Sequence, residues 1–302
     1  MSAHKLAFAT RASARAYATA WMALRWLPLS ESIVVRIANA ASHAAQGRDE
    51  VFAQARPRTV QTPAGRIRLM LRPPDFRFRP LVSRSLHYEE EVFRLLGERL
   101  SRYDAVIEIG ANVGVFTAAM GLLFRLQGKD VSRIVAFEPA ASSCTRLRQN
   151  LKLNGLGAVR VVQAAVSDHD GTAAFFEASP MATTSSLHRG FAASLDRPVG
   201  ETVVQTVDGA GIGAFVPGAA NVLVKIDAEG HEETILSRLG GFVREHRPDL
   251  IVEVLRRTAV GIAAATEGWG YRAFRIRPHG LTEEPLSAAD HHSRDWLLTP
   301  AA

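Results

Sequence analysis

Five short runs in this chain, 104–109, 133–137, 159–163, 222–226 and 250–254, are apolar on nearly every position rather than on alternate ones. A strand of that kind must be covered on both faces, which is the condition of a strand inside a parallel sheet. Between the runs, residues 114–126, 141–153 and 231–245 carry the period of helices. Strand and helix alternating in this way imply a doubly wound, mostly parallel α/β sheet with helices on both faces. "YRAFRI" (271–276) and "DWLLTP" (295–300) supply two more strands, paired antiparallel at one edge, for seven in all. "TAAFFEA" (172–178) and "TVVQTV" (202–207) read as an extra hairpin. A chain of 302 residues, 47% of them hydrophobic, suffices for one large domain with additions.

Helical periodicity at 88–101, with Val92, Leu95, Leu96 and Leu100 on one face, opens the main domain, placed at 85–302. Residues 1–84 hold an N-terminal helical segment, a hairpin at 59–72 around Pro63-Ala64-Gly65, and a Pro-rich linker at 72–80. Within 1–30, Lys5, Arg11, Arg15 and Arg25 are unopposed by any acid, and Tyr17, Ala20, Trp21 and Leu24 share a helical face. Three readings stay open there: a packed helix, a basic helix making peripheral contact with an anionic membrane, and a secretory signal. No apolar run reaches the ~18 residues that suggest a membrane-spanning helix. The net charge of +6 comes with arginine scattered along the chain, so no nucleic-acid partner is expected. A single cysteine, Cys144, fits a reducing compartment or indifference to redox state, reads as a packing residue, and goes with an expected cytoplasmic location.

In an open α/β sheet, ligands bind beyond the carboxyl ends of the strands. The first strand runs into Glu108-Ile-Gly110-Ala-Asn112-Val-Gly114, where glycines permit a sharp turn and a close approach ahead of a helix N-terminus. The second ends at Glu138, a carboxylate placed to accept from both hydroxyls of a ribose. A nucleoside-containing cofactor is therefore the expected occupant. Asn112 stands where the dinucleotide fingerprint has its second glycine, and Glu108 would repel a pyrophosphate. An acid suits a cofactor with an amino group and a sulfonium, which points to S-adenosylmethionine. The third strand leads into "QAAVSDHDG" (163–171), which borders an adenine or is an ordinary polar turn. In the first case Ala165 and Val166 leave room for the ring and Asp168 accepts from its amino group.

The fourth strand enters "VLVKIDAEGHEETIL" (222–236), where Lys225, Asp227, Glu229, His231, Glu232 and Glu233 crowd a strand end and a helix start. Helix capping accounts for Glu232 or Glu233. It does not account for Asp227, which reads as still within the strand, and burying acids there is costly unless they are paired or used.

These segments resemble the FkbM-type methyltransferase family in order and spacing: "IEIGANVGVFT", "VAFEPAASSCTRLRQNLKLNGL", "AAVSDHDG", "VVQTVDG", "LVKIDAEGHEETIL" and "RPDLIVEV", across about residues 88–276. Glu108 stands where an aspartate is commoner, and Val207 where Thr-Leu-Asp is usual. The resemblance implies a Rossmann-like class I methyltransferase fold and S-adenosylmethionine as cofactor. It implies that Glu108, Gly110, Asn112, Gly114 and Glu138 surround that cofactor, and that the acceptor is a hydroxyl of a sugar, glycolipid or natural product. A protonated hydroxyl is a poor nucleophile, so a general base is expected. His231, with an unperturbed pKa near ~6.5, is the first candidate. Glu229 is the second, and Asp227 holds the cofactor or orients the base. These three carry ligating atoms, but their spacing matches no metal motif, and no metal is expected. Two other classes fit the residues less well. A nicotinamide-dependent oxidoreductase is opposed by Asn112, and a non-catalytic glycan- or membrane-associated protein is opposed by the intact glycine turn.

Overall fold

The computed structural model of the chain describes residues 56–71, 88–177, 185–187, 200–290 and 294–301. The helix expected within 1–30, the linker at 72–80, the boundary at 84/85 and the His291–His292 pair lie outside the described residues.

β1 (Arg56–Thr62) and β2 (Gly65–Leu71) form the expected hairpin. Pro63-Ala64 makes its turn, and Thr62 Oγ1 donates to the Gly65 carbonyl at 2.7 Å. Gly65 holds φ 116, a conformation that suits glycine alone.

From residue 89 onward the chain alternates as its hydrophobic pattern requires. α1 (Glu90–Arg99) precedes β3 (Ala105–Ile109), α2 (Val115–Leu126), β4 (Ile134–Phe137), α3 (Ala141–Leu153) and β5 (Arg160–Val162). β6 (Ala165–Ser167), β7 (Gly171–Glu177), β8 (Ser185–Ser186) and β9 (Gly200–Asp208) follow. β10 (Val222–Ile226), α4 (Glu232–Arg238), α5 (Gly240–His246), β11 (Asp249–Glu253) and α6 (Ala259–Ala265) come next, and β12 (Tyr271–Arg277), β13 (Gly280–Glu283) and β14 (Asp295–Pro300) close the chain.

The main sheet has the order β13-β12-β14-β11-β10-β3-β4-β5. Five strands, β5, β4, β3, β10 and β11, run parallel. β14 inserts antiparallel between β11 and β12. The seven expected strands are all present, and β13 adds an eighth by folding back on β12. The chain steps outward from β3 to β5, then returns to the other side of β3 with β10. That reversal makes the β3–β10 boundary the switch point of the sheet, where a crevice opens beyond the strand ends.

Each central strand is buried along its whole length. Ile107, Ile109, Val135, Phe137, Val224, Ile226, Leu250 and Val252 face one way and pack with Ile235, Leu236, Leu239, Phe242 and Val243 of the α4–α5 segment. The alternate residues face α1 and α2, whose Phe93 and Phe116 rings stack at 4.4 Å. Helices thus cover both faces, which is why these strands are apolar throughout. Cys144 is buried on α3 as a packing residue.

Two expectations need correction. The helix foreseen at 231–245 is two helices, separated at Leu239 ahead of Gly240-Gly241, since paired glycines lower helical propensity where the chain must bend. The "QAAVSDHDG" segment, read as a loop or polar turn, contains a strand. Its β6 pairs parallel with β9 in a second, four-stranded sheet of order β6-β9-β7-β8. The hairpin foreseen at 172–178 and 202–207 is the centre of that sheet, with Phe175 opposite Thr202 and Ala173 opposite Val204.

Candidate active site

The glycine turn after β3 is shaped by the protein's own atoms. Gly110 has φ 83, and a Cβ built on it would lie 1.8 Å from the carbonyl oxygen of Asp227. Gly114 has φ 79, and its Cβ would lie 2.2 Å from Cδ1 of Leu147 on α3. Both absent side chains therefore make room for neighbouring chain, rather than for a ligand as the turn alone suggested. Asn112 between them also takes a left-handed backbone, φ 51. The Gly110 and Ala111 N–H groups donate to the Phe137 carbonyl at 3.0 and 2.9 Å, and Asp227 N–H donates to the Ile109 carbonyl at 3.0 Å. The ends of β3, β4 and β10 are thereby sewn together. α2 starts at Gly114 with no side-chain cap, so its first N–H groups point out of the turn.

Glu138 sits just past β4, almost fully buried. One carboxylate oxygen accepts from Asn112 N–H at 2.7 Å, the other from Ala140 N–H at 2.8 Å. Burial pushes its pKa up to about 7, against the pull of those two bonds. Each oxygen keeps a further lone pair.

Glu108 is buried on the face that looks toward α2, where Thr117 Oγ1 donates to it. Directly beside it in register is Lys225 of β10. The ammonium of Lys225 lies 4.6 Å above the Phe116 ring and 3.1 Å from Asp227 Oδ2. Burial works against that charge, but Asp227, Glu89, Glu108 and Asp295 outweigh it and hold the lysine firmly protonated. Burial pushes Glu108 up to about 7, with Lys225 pulling the other way.

β10 ends at Ile226, so Asp227 lies one residue beyond the strand rather than within it. The segment that follows is folded around Glu232. This residue is fully buried at the start of α4, and its carboxylate reaches back to Ala228 N–H at 2.8 Å and Gly230 N–H at 3.0 Å. Glu232 therefore holds the loop that precedes its helix rather than the helix's first turn. Glu229 at the loop's apex is left-handed, φ 52. Its carbonyl accepts from Ser186 Oγ of β8 at 2.9 Å, which ties the second sheet to this loop. Burial, then the charges of Asp227, Glu253 and Glu232, raise the Glu229 carboxyl well above the usual range.

His231 is buried, and its Nε2 lies 3.0 Å from Ser167 Oγ of β6. Its ring faces the second sheet. Asp168, one residue on, is exposed, and its Oδ1 is already engaged by His169 Nδ1 at 2.7 Å. Val166 is packed inside the main core, while Ala165 joins Ala140, Phe175 and Val204 in a small separate cluster. The structure thus draws Glu108, Gly110, Asn112, Gly114, Glu138, Asp227 and Glu229 to the switch point. It turns His231 and Val166 inward and leaves Asp168 at the surface.

Three acids went unnoticed in sequence. Glu253 ends β11 and pairs across with Asp295, the first residue of β14. Burial raises Glu253 to about 8 and Asp295 well above the usual range, with neighbouring carboxylates adding to both. Glu89 precedes α1 in a left-handed conformation and adds to the same negative field. A carboxylate at the tip of a parallel strand, the signal that singled out Glu138, was present in Glu253 too. Asp295 carried no such mark, because its position depends on β14 entering the sheet antiparallel. Among the described residues, no three His, Cys, Asp or Glu side chains converge to hold a metal ion, and no helix is long and apolar enough to cross a membrane.

Residues 108–273 match the family described as the methyltransferase FkbM domain, more than half of the chain. No curated protein matches it. Among solved structures, a methyltransferase FkbM from Methylobacillus flagellatus KT is 16% identical with a TM-score of 0.39, covering 65% of this chain and 44% of that one. The chain therefore spans less than half the length of that protein. A SAM-dependent methyltransferase from Agrobacterium tumefaciens is 10% identical with a TM-score of 0.41, covering 82% and 71%. A SAM-dependent O-methyltransferase from Thermotoga maritima is 10% identical with a TM-score of 0.38, covering 84% and 81%. These likenesses are distant, and the assignment rests on the family match together with the glycine turn and the acid-lined loop inside it: the chain belongs to the FkbM methyltransferase family.

Proposed function

We propose that this protein transfers a methyl group from S-adenosylmethionine to a hydroxyl of a sugar, glycolipid or natural product. The observation that carries the reading is the charge of the switch point. Glu108, Glu138, Asp227, Glu229 and Glu232 gather there, with the buried cation Lys225 beside Glu108 and Asp227. That donor set fits a nucleoside carrying a sulfonium and an ammonium, and it opposes the pyrophosphate of a nicotinamide dinucleotide.

Glu138 and the Asn112 backbone are the groups to hold the ribose, Glu138 with the lone pairs left by its two backbone bonds. Asp227 and Glu108, steadied by Lys225 and Thr117, face the cationic end. Bound S-adenosylmethionine supplies an electrophilic methyl whose sulfonium charge is lost as the new carbon–oxygen bond forms. The site's main task is then alignment, and removal of the acceptor's proton.

Glu229 is the residue we assign to that proton. It crowns the loop beside Asp227, and its raised pKa makes it a stronger base when ionised. His231 is assigned to orientation: its ring is held by Ser167, which fixes the loop against the second sheet. Ala165, packed within β6, and Asp168, exposed just past it, are assigned no direct contact with the adenine.

Calorimetry with S-adenosylhomocysteine and NAD⁺ tests the cofactor. Micromolar binding of the first and none of the second is expected, and the reverse would end the methyltransferase reading. Transfer of labelled methyl by Glu229→Gln and His231→Ala tests the roles. The first should lose roughly 10²-fold or more in kcat, and the second should lose less.

A further inference from the structure

We propose that Glu253 and Asp295, next in line to Asp227, form a subsite for an ammonium group on the methyl acceptor, so that the acceptor is an amine-bearing alcohol of the amino-sugar or amino-polyol kind. This inference rests on the methyltransferase reading above and narrows its substrate class.

The register of three adjacent strands puts these carboxylates in a row. Ile226 pairs with Val252, so Asp227 comes level with Glu253, and Glu253 pairs with Asp295. Leu250, Val252, Trp296 and Leu298 belong to the core on the α4–α5 side. Glu253 and Asp295 alternate with them and so face the other way, toward Lys225 and Glu108.

Asp295 is the decisive residue. It is only 7% exposed, yet its carboxylate has no hydrogen bond and no ion pair among the described residues. The charges it feels are those of Glu89, Lys225, Asp227 and Glu253. Glu253 Oε2 is likewise buried without a hydrogen-bond partner. Buried carboxylate oxygens without a hydrogen-bond donor are costly to a fold, and the Asp295 carboxylate beside Glu253 Oε2 calls for a donor that arrives from outside.

The protein's own cations are already committed. Lys225 contacts Asp227 at 3.1 Å and flanks Glu108. Arg294, half exposed, lies 3.5 Å from Glu253 Oε1. An acceptor bearing carboxylate or phosphate would meet repulsion here. A bare metal ion is disfavoured, since no three ligating side chains converge among the described residues. An ammonium brings three donors that fan out, which suits carboxylates set side by side along strand ends. Asp227 stands two residues from Glu229, so the amine and the reacting hydroxyl fit within one small molecule.

The test is calorimetric titration of the protein saturated with S-adenosylhomocysteine, using glucosamine, glucose and glucuronate in turn. Glucosamine should bind roughly tenfold or more tighter than glucose, the gain of a charge-assisted bond, and glucuronate should not bind. Asp295→Asn should abolish the preference while leaving S-adenosylhomocysteine affinity unchanged. A single cooperative melting transition confirms that the variant is folded. Equal binding of glucose or glucuronate, no binding of any of the three sugars, or a preference that survives Asp295→Asn overturns the proposal. So does tight binding of Mg²⁺ that competes with glucosamine. If S-adenosylhomocysteine itself fails to bind, the methyltransferase reading fails and takes this one with it. If it binds without an amine preference, only the subsite is lost.

Discussion

The carbonyl oxygen of Asp227 occupies the space in which a side chain on Gly110 would stand, 1.8 Å from the position of its Cβ. The turn after β3 and the loop after β10 are thus in backbone contact, and one residue's missing side chain makes room for the other's carbonyl. Gly110→Ala should therefore separate the two loops as well as strain a backbone at φ 83. We expect a loss of about 3 kcal/mol or more in chemical denaturation. Gly128→Ala, at φ 69 with open space around it, should cost only about 1 kcal/mol. Similar losses in the two variants would refute the packing argument.

Glu138 joins the same turn from the other side through Asn112 N–H and Ala140 N–H. Glu138→Gln keeps one acceptor oxygen and loses one charge-assisted bond. S-adenosylhomocysteine should bind it roughly 10- to 100-fold more weakly by calorimetry. An unchanged affinity would remove Glu138 from the cofactor site.

Lys225 is surrounded by carboxylates, and removing it leaves the buried Glu108 and the half-buried Asp227 without their shared cation. Lys225→Met should destabilise the protein by about 3–5 kcal/mol, read from the denaturation midpoint. Adding Glu108→Gln should return part of that loss. A double variant less stable than the single one would show that the two residues do not act as a pair.

Stability should fall with rising pH between the ordinary carboxylate range and about pH 8. Glu108, Glu138 and Glu232 have pKa values near 7 and Glu253 near 8, all raised by burial. Each holds its proton more tightly folded than unfolded. Their contribution is complete below the unfolded pKa and is lost as pH passes through the folded one. The melting temperature at pH 8.5 should lie at least about 3 °C below that at pH 5.5. The lowered groups, Asp130, Asp168, Asp208 and Glu283, act in more acid solution and do not offset this. A flat profile would mean that these carboxyls are not buried in solution.

The sequence alone determined the sheet. Runs such as 222–226 and 104–109 are apolar on both edges, and only burial under two layers of helices satisfies that, so the parallel core and its order of elements were legible from hydrophobic period. The glycines, Glu138 and the acids after β10 were legible as well, because each ends a strand and the ends of parallel strands share one rim. Tertiary structure alone decided where side chains point from those ends. His231 and Glu229 are two residues apart, yet one ring turns to Ser167 on another sheet while the other residue crowns the loop, a choice made by the carboxylate of Glu232 closing the backbone beneath them. The glycines looked like room for a ligand, but the positions of their missing Cβ atoms are taken by the Asp227 carbonyl and the Leu147 side chain. Asp295 belongs to the site only because β14 enters antiparallel beside β11. Local pattern carries burial and period; the meeting of residues far apart in the chain depends on strand order and register, which no short stretch encodes.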